Sequence, residues 1–447
     1  MNIKYNPNSK EGYDLMASGG LAFSDMEMNG IRIDVKHFKF KADELSMTLK
    51  LLYAKILKTD EGKFIHKKYG QDGFTSSKKL GKALFDDLNY TQVKGRSVDE
   101  KVLASFKGEF PEQLLHIRKL EKTLSTYIIG ILRQVVHRDG EYVLHPSFSN
   151  LLVSSYRSSS QGPNLQNIPV RNEEVKAIVR KGFKARKGNL LLEVDFSGNE
   201  VKCGACYHKD PMMIKYITDP TTDMHRDMAS ECYLLPPDEV SKNTRYCGKN
   251  MFVFPQFYGD WYQPCATNMW EAIDTMSLKT SSGVKLKRHL RRKGIDSLEQ
   301  FIKHMEGVEY DFWTERFYVY NQWRDDLWAE YLKKGYLHTL TGFTVQGLLD
   351  KKQVSNYPIQ GSAYHWLLWC LVELNAWRKR HRLKSYPIVQ VHDSILWDIY
   401  PPEKDYIIEK MKQVMSVDIR KRFPWIIVPL EVDIEQSPID GSWYDKQ

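Results

Sequence analysis

Cysteine is scarce: 6 in 447 residues, too few and too scattered for a disulfide framework. The one close pair, Cys203 and Cys206, has no second Cys or His pair at zinc spacing, which leaves helix packing as its use. Long apolar runs are also missing. The richest, "HWLLWCLVELNAW" at 365–377, is too short and too polar to cross a bilayer, and the N-terminal "MNIKYNPNSKEGYDL" has no apolar signal core. These absences exclude a disulfide-stapled secreted scaffold and a membrane-spanning helix, so a soluble cytoplasmic chain with no membrane partner is expected. No internal repeat or low-complexity tract appears. What remains is 42% hydrophobic and 27% charged, an ordinary globular balance with core enough for two to four structural units. A net charge of +9, from 65 Lys and Arg against 56 Asp and Glu, is compatible with a polyanionic partner but weak by itself.

Between Asp34 and Lys58 the apolar residues Leu45, Leu49, Leu52 and Ile56 recur at three- and four-residue steps, which predicts a long amphipathic helix. "FTSSKKLGKALFDDL" (74–88) and "PEQLLHIRKLEKTLSTYIIGILRQVV" (111–136) continue at helical period. The stretch 139–171 is rich in Ser, Asn, Gly and Pro and reads as strand and loop. "NLLLEVDF" (189–196) is a buried strand that delivers Asp195 to its end, and "SYPIVQVHDSILWDI" (385–399) is a hairpin with Asp393 at the tip. A helix over 403–422 and a strand "WIIVPLEVDI" (425–434) follow. The pattern is α+β: a mixed sheet with two acidic tips, and a helical insertion between them.

Buried carboxylates at two strand ends require compensation, and a divalent cation supplies it best. Two Mg²⁺ ions between two carboxylates are the two-metal arrangement for in-line phosphoryl transfer. In "RYCGKNMFVFPQFYG" (245–259), Arg245 and Lys249 share a helix face, as do Phe254 and Tyr258. The cations suit a triphosphate and the aromatic end a flat base. The plainer alternative is a solvated basic turn followed by a core-facing aromatic stripe.

Six stretches carry a resemblance to the family A DNA polymerases, the group of bacterial DNA polymerase I. "VDFSGNEVK" (194–202) resembles the first palm motif D-Y-S-Q-I-E-L-R; "RYCGKNMFVFPQFYG" the fingers helix R-x3-K-x3-[FY]-x3-Y-G; and "QVHDS" (390–394) the second metal motif V-H-D-E. "RSSSQGPNLQNIP" (157–169), "DMHRDMA" (223–229) and "NYPIQGSA" (356–363) fall in the family's order. The resemblance runs from "LAFSDMEMNGIRID" (21–34) to "GSWYDK" near the C-terminus. It implies a right hand with a palm of mixed or antiparallel sheet and helical fingers and thumb. Residues 1–29 would form an N-terminal segment at the start of the palm, 30–135 the thumb, 136–205 and 361–447 the palm, and 206–360 the fingers, with the nucleotide-binding helix at 243–259 and a basic insertion at 260–300.

The implied activity is template-directed addition of deoxynucleoside triphosphates to a DNA primer, using two Mg²⁺ ions with Mn²⁺ as a substitute. Asp195 and Asp393 would hold the metals, with the backbone carbonyl of Phe196 a third contact. Arg245, Lys249 and His225 would hold the triphosphate, and Lys249 would also protonate the departing pyrophosphate. Phe254 would face the sugar, with Val253 the alternative by counting from Lys249. Tyr258 would guard the templating position, and Glu200 would reject a 2′-hydroxyl sterically. Arg157 and Gln360 would read minor-groove acceptors, while Asn164, Asn167 and His392 would line the primer-template backbone.

Departures from the family accompany the likeness. Lys249 to Phe254 is one residue longer than the family spacing and Pro255 removes a donor, so a one-residue π-type bulge is expected. Ser394 stands where glutamate is usual, Gly198 replaces glutamine, Lys202 replaces arginine, and Phe343 takes a position where arginine is common. The run "KLKRHLRRK" could grip a template or displaced strand, with Trp261, Tyr262 and Trp270 as stacking surfaces, or form a solvated face. About twenty residues precede the match, so no proofreading in this chain, a monomer, and a separate exonuclease or processivity factor are expected, together with a bacteriophage setting in the host cytoplasm. The rivals are a single-subunit RNA polymerase, a non-catalytic DNA-binding module that keeps a polymerase fold, and a two-metal nuclease.

Overall fold

The computed structural model describes residues 7–92, 95–170 and 172–447. Its central sheet has four strands in the order Tyr386–Val391, Ser394–Ile399, Leu190–Phe196, Val432–Gln436. Every pairing in it is antiparallel, so the sheet is not mixed. Side chains alternate across a strand, and the register sorts them into two faces. Leu192 and Val194 sit on the same face as Ile395 and Trp397, and all four are buried. The other face carries Glu193, Asp195, Ser394, Asp433 and Glu435. The fourth strand is shorter than expected: 425–431 is not strand and pairing begins at Val432, because Pro424 and Pro429 each remove a ladder donor.

The 30-residue helix Lys351–Arg380 packs against helices Lys10–Asn29 and Asn199–His208 and against the strand Tyr386–Val391. Its Asp350 capping box fixes where it starts. A second sheet, in the order Val136–Arg138, Glu141–Leu144, Ile31–Ile33, Phe183–Lys184, ties the residues just after position 30 to chain more than a hundred residues later. Ile31–Ile33 is one strand of this sheet.

The amphipathic pattern after Asp34 forms helix Val35–Ile56, capped by the Asp34 carboxylate. Leu45, Leu49 and Ile56 are buried against helix Glu109–Lys122, while Leu52 is half-buried; each full burial contributes about 1.5–3 kcal/mol. The residues between the two metal-motif strands are mostly helical. Helix Leu286–Arg292 in the basic insertion is anchored by buried Leu286 and Leu290 and turns Arg288, Arg291 and Arg292 outward. Among the described residues no helix is long and apolar enough to cross a membrane.

The stretch 242–257 is α-helical over Lys242–Cys247, π-helical over Gly248–Val253, and α-helical again over Phe254–Phe257. The extra residue is thus absorbed as a π-turn just before Pro255, whose missing donor leaves the preceding carbonyls without an α-type partner. Gln256, fully buried, fixes the far end: its amide donates to Glu309 at 2.6 Å and its carbonyl accepts from the Trp313 indole at 2.7 Å. The near end rests on helix Met224–Cys232, where a Cβ on Gly248 would meet the His225 carbonyl at 2.8 Å and the Ala229 Cβ at 2.9 Å. Gly248→Ala is accordingly expected to cost about 1–3 kcal/mol through overpacking, read as a lower urea midpoint; an unchanged midpoint would show that the two helices separate freely.

Candidate active site

Strand pairing places the two acidic tips side by side. Asp195 lies opposite Ser394, and the Phe196 amide donates to the Asp393 carbonyl at 3.3 Å. Asp393 occupies a two-residue turn whose other member, His392, takes φ of +52°, a conformation rare outside glycine and more tolerated by histidine than by most residues. Burial raises the Asp195 carboxyl to about 7, with the Asp393 charge adding to it, and burial raises Asp393 as well. Asp195 Oδ1 is buried without a hydrogen-bond partner. Two adjacent carboxylates, one with an orphaned oxygen, are a donor set that fits a divalent cation. Among the described residues no three His, Cys, Asp or Glu side chains converge as a metal-holding group.

Beside the Asp393 tip lies a cleft of about 330 Å³ whose walls include Arg157, Glu200, Phe254, Tyr258, Gln360, His392 and Asp393. Helix Asn199–His208 presents Glu200 to it, and Gly198 starts that helix in the left-handed region at φ +65°, where glycine replaces glutamine without strain. Glu200 is held twice: the Tyr258 hydroxyl donates to Oε2 at 2.6 Å, and the Arg157 guanidinium pairs with Oε1. Arg157, expected on the minor groove, is therefore engaged across the cleft. Val253 is fully buried while Phe254 lines the cleft, so the residue facing that space is Phe254.

Arg245 and His225 line an adjoining cavity of about 390 Å³, and Val201 and Met213 are walls of both cavities. The Arg245 Nε donates to Asp223 at 2.7 Å. Lys249 Nζ lies 5.3 Å from the centre of the Phe254 ring, and the His225 ring meets Phe254 edge-on at 5.9 Å. The π-turn thus brings Lys249 and Phe254, five residues apart, onto one side. Burial lowers His225 to about 4, with the Lys249 and Arg245 charges adding, so its imidazole is neutral; its Nδ1 is buried without a partner.

Asn164 and Asn167 are not among the residues lining either cavity. Asn164 caps the short turn Leu165–Asn167, and the Asn167 carbonyl accepts from Tyr127 at 3.3 Å. Phe343 packs its ring against His365 at 4.2 Å. Two contributors went unassigned in the sequence. Asp223, two residues before His225, holds Arg245, and an acid opening the stretch DMHRDMA beside a histidine expected to hold the triphosphate was the available signal. Gln390 steadies the hairpin: its amide donates to the His392 carbonyl at 2.5 Å, and its own carbonyl accepts from Ser158 at 2.5 Å and Gln166 at 2.8 Å.

Strand order, helical packing and paired acids together define the α+β polymerase fold. The model of DNA polymerase family A matches residues 44–445, and the chain belongs to that family. It is 28% identical over 449 residues to DNA polymerase I of Bacillus subtilis (strain 168), covering 95% of this chain and 44% of that protein. With DNA polymerase I of Geobacillus stearothermophilus the identity is 26% over 440 residues, covering 94% and 44%. The chain thus spans less than half the length of these relatives. A solved structure, the POL domain of Pol1 from M. smegmatis in complex with DNA primer-template and dNTP, superposes with TM-score 0.76 at 23% identity, over 96% of this chain and 70% of that one; this likeness shows a shared fold.

The raised carboxyls set a sign for stability. A carboxyl whose folded value lies above its unfolded 3.8 lends stability at low pH and loses it as pH rises through the folded value. In chelator, Asp195→Asn should therefore gain on wild type between about pH 4 and 7 and level off above, by ~1–3 °C in Tm for each ~1 kcal/mol. A difference flat across that window would contradict the burial of the pair.

Proposed function

We propose that the chain is a template-directed DNA polymerase that extends a DNA primer with deoxynucleoside triphosphates. The observation that carries this is the adjacency of the Asp195 and Asp393 strand tips, with Asp393 in the wall of a cleft that Phe254 and Tyr258 also line and with Arg245 in the adjoining cavity, in a chain of DNA polymerase family A. Asp195 and Asp393 would hold magnesium, which would supply charge neutralisation and a more acidic primer hydroxyl.

The chain's own groups bind and orient. Arg245 and Lys249 grip the triphosphate, and Asp223 gives up Arg245 when phosphate replaces it. His225, neutral, offers its ring to the same phosphates, and Lys249 is the proton donor to the departing pyrophosphate. Tyr258 yields the templating position when the fingers, taken as 206–360, rotate toward the palm at 136–205 and 361–447. The thumb, 30–135, and Asn164, Asn167, Gln360 and His392 hold the duplex without reading its sequence. The outward cations of Leu286–Arg292 support a contact with single-stranded template. Replication is the proposed setting; the relatives named above are bacterial, and the bacteriophage origin expected from the sequence gains no support from them.

Primer extension on a primed template with Mg²⁺ tests the activity: Asp393→Asn is expected to bind the DNA and leave it unextended, and full extension by this variant would refute the assignment. Glu200→Ala tests the sugar gate separately. It should raise rNTP incorporation relative to dNTP by roughly 10-fold or more, the scale of a lost steric rejection; an unchanged ratio would remove Glu200 from that role and favour another group at the 2′ carbon.

A further inference from the structure

Strand pairing brings the two acids side by side, with Val391 opposite Ser394 and Ser394 opposite Asp195. The turn 392–393 itself adds the long bond from the Phe196 amide, and side chains brace both of its flanks. Gln390 holds the His392 side. On the other side the Ser394 hydroxyl lies 2.8 Å from Glu193 Oε1 and 3.0 Å from the Val391 carbonyl. Glu193 is two residues before Asp195 on the same strand, so both carboxylates are on one sheet face. Its second oxygen accepts from the Trp443 indole at 2.8 Å and pairs with the Lys446 ammonium, which also reaches Glu435 at 2.9 Å. Trp443 and Ser394 are buried, and the Lys446 side chain is only 7% exposed. A hydroxyl donating to a charged carboxylate in such a place makes a strong, directional bond.

We infer that Glu193, pinned by Trp443 and Lys446, is a positioning residue that ties Ser394 and so holds Asp393 at metal-binding distance from Asp195. The inference rests on the proposed two-aspartate metal site. Ser394, where the resembled motif has an acid, keeps a negative charge beside the site by bonding to one on the neighbouring strand. Glu193 does not reach the metal: its oxygens are taken by Ser394, Trp443 and Lys446, and it joins no metal-holding group with the aspartates. Partners of this kind typically change metal affinity by about 10–100-fold when removed.

The test is Mn²⁺ binding to the enzyme with primer-template DNA and no nucleotide, followed by electron paramagnetic resonance, with Asp393→Asn as the control that abolishes it. Ser394→Ala is expected to weaken Mn²⁺ binding about tenfold at the lower end of that range, with DNA affinity unchanged, and Ser394→Thr, which keeps the hydroxyl, to restore it. Glu193→Ala should weaken binding similarly, and the double variant should be no weaker than Glu193→Ala, because both changes break one link. Should Glu193→Ala fail to fold, the Ser394→Ala and Ser394→Thr pair decides. Wild-type affinity in Ser394→Ala, or a Thr variant no better than Ala, would overturn the inference while leaving the two-aspartate site standing. Mn²⁺ binding by wild type that Asp393→Asn does not reduce would overturn that site, and this inference with it.

Discussion

Two carboxylates buried side by side at the ends of neighbouring strands are the constraint around which this molecule is arranged. Each is lifted by burial, and one has an oxygen with no partner. Without a cation the pair is a cost to folding, and under the proposed function a bound cation would offset it. The surrounding architecture serves that trade. Apolar side chains bury the sheet's opposite face, and a left-handed His392 shapes the turn that carries Asp393.

The fingers helix faces the same problem with the opposite charge. Its cations and aromatics must stay on one side despite an extra residue and a proline, and the π-turn Gly248–Val253 accomplishes this. The site's charges satisfy one another: Arg245 on Asp223, Arg157 on Glu200, and Tyr258 on the same glutamate. Under the proposed function, nucleotide and duplex would bind by exchanging these internal partners for phosphate and base. Such exchange would cost less than desolvating bare ions, and it would tie substrate arrival to side-chain rearrangement.

Much of this was readable along the chain. An unbroken apolar run ending in Asp195 and a strand–His–Asp–strand pattern around Asp393 specify local geometry through period and length alone. The spacing from Lys249 to Phe254, one residue longer than in the resembled motif, together with Pro255, was enough to anticipate a π-turn. What local patterns do not contain is pairing between distant segments. Glu193 meets Ser394 at a separation of 201 residues and Trp443 at 250, and nothing near Glu193 announces either. The same holds for Ile31–Ile33, a strand only because 141–144 and 183–184 flank it, and for the antiparallel order of the central sheet. Pro424 and Pro429 were visible, but the apolar residues around them outweighed their meaning and made 425–431 read as strand.

The central claim is that Asp195 and Asp393 share metal beneath the helix that grips a nucleotide. A crystal of the chain with primer-template DNA, a non-hydrolysable deoxynucleoside triphosphate and Mn²⁺, measured at the manganese absorption edge, locates the ions directly. Anomalous peaks between the two carboxylates and the triphosphate are expected. Peaks only elsewhere on the protein, with the aspartates turned apart, would contradict the account.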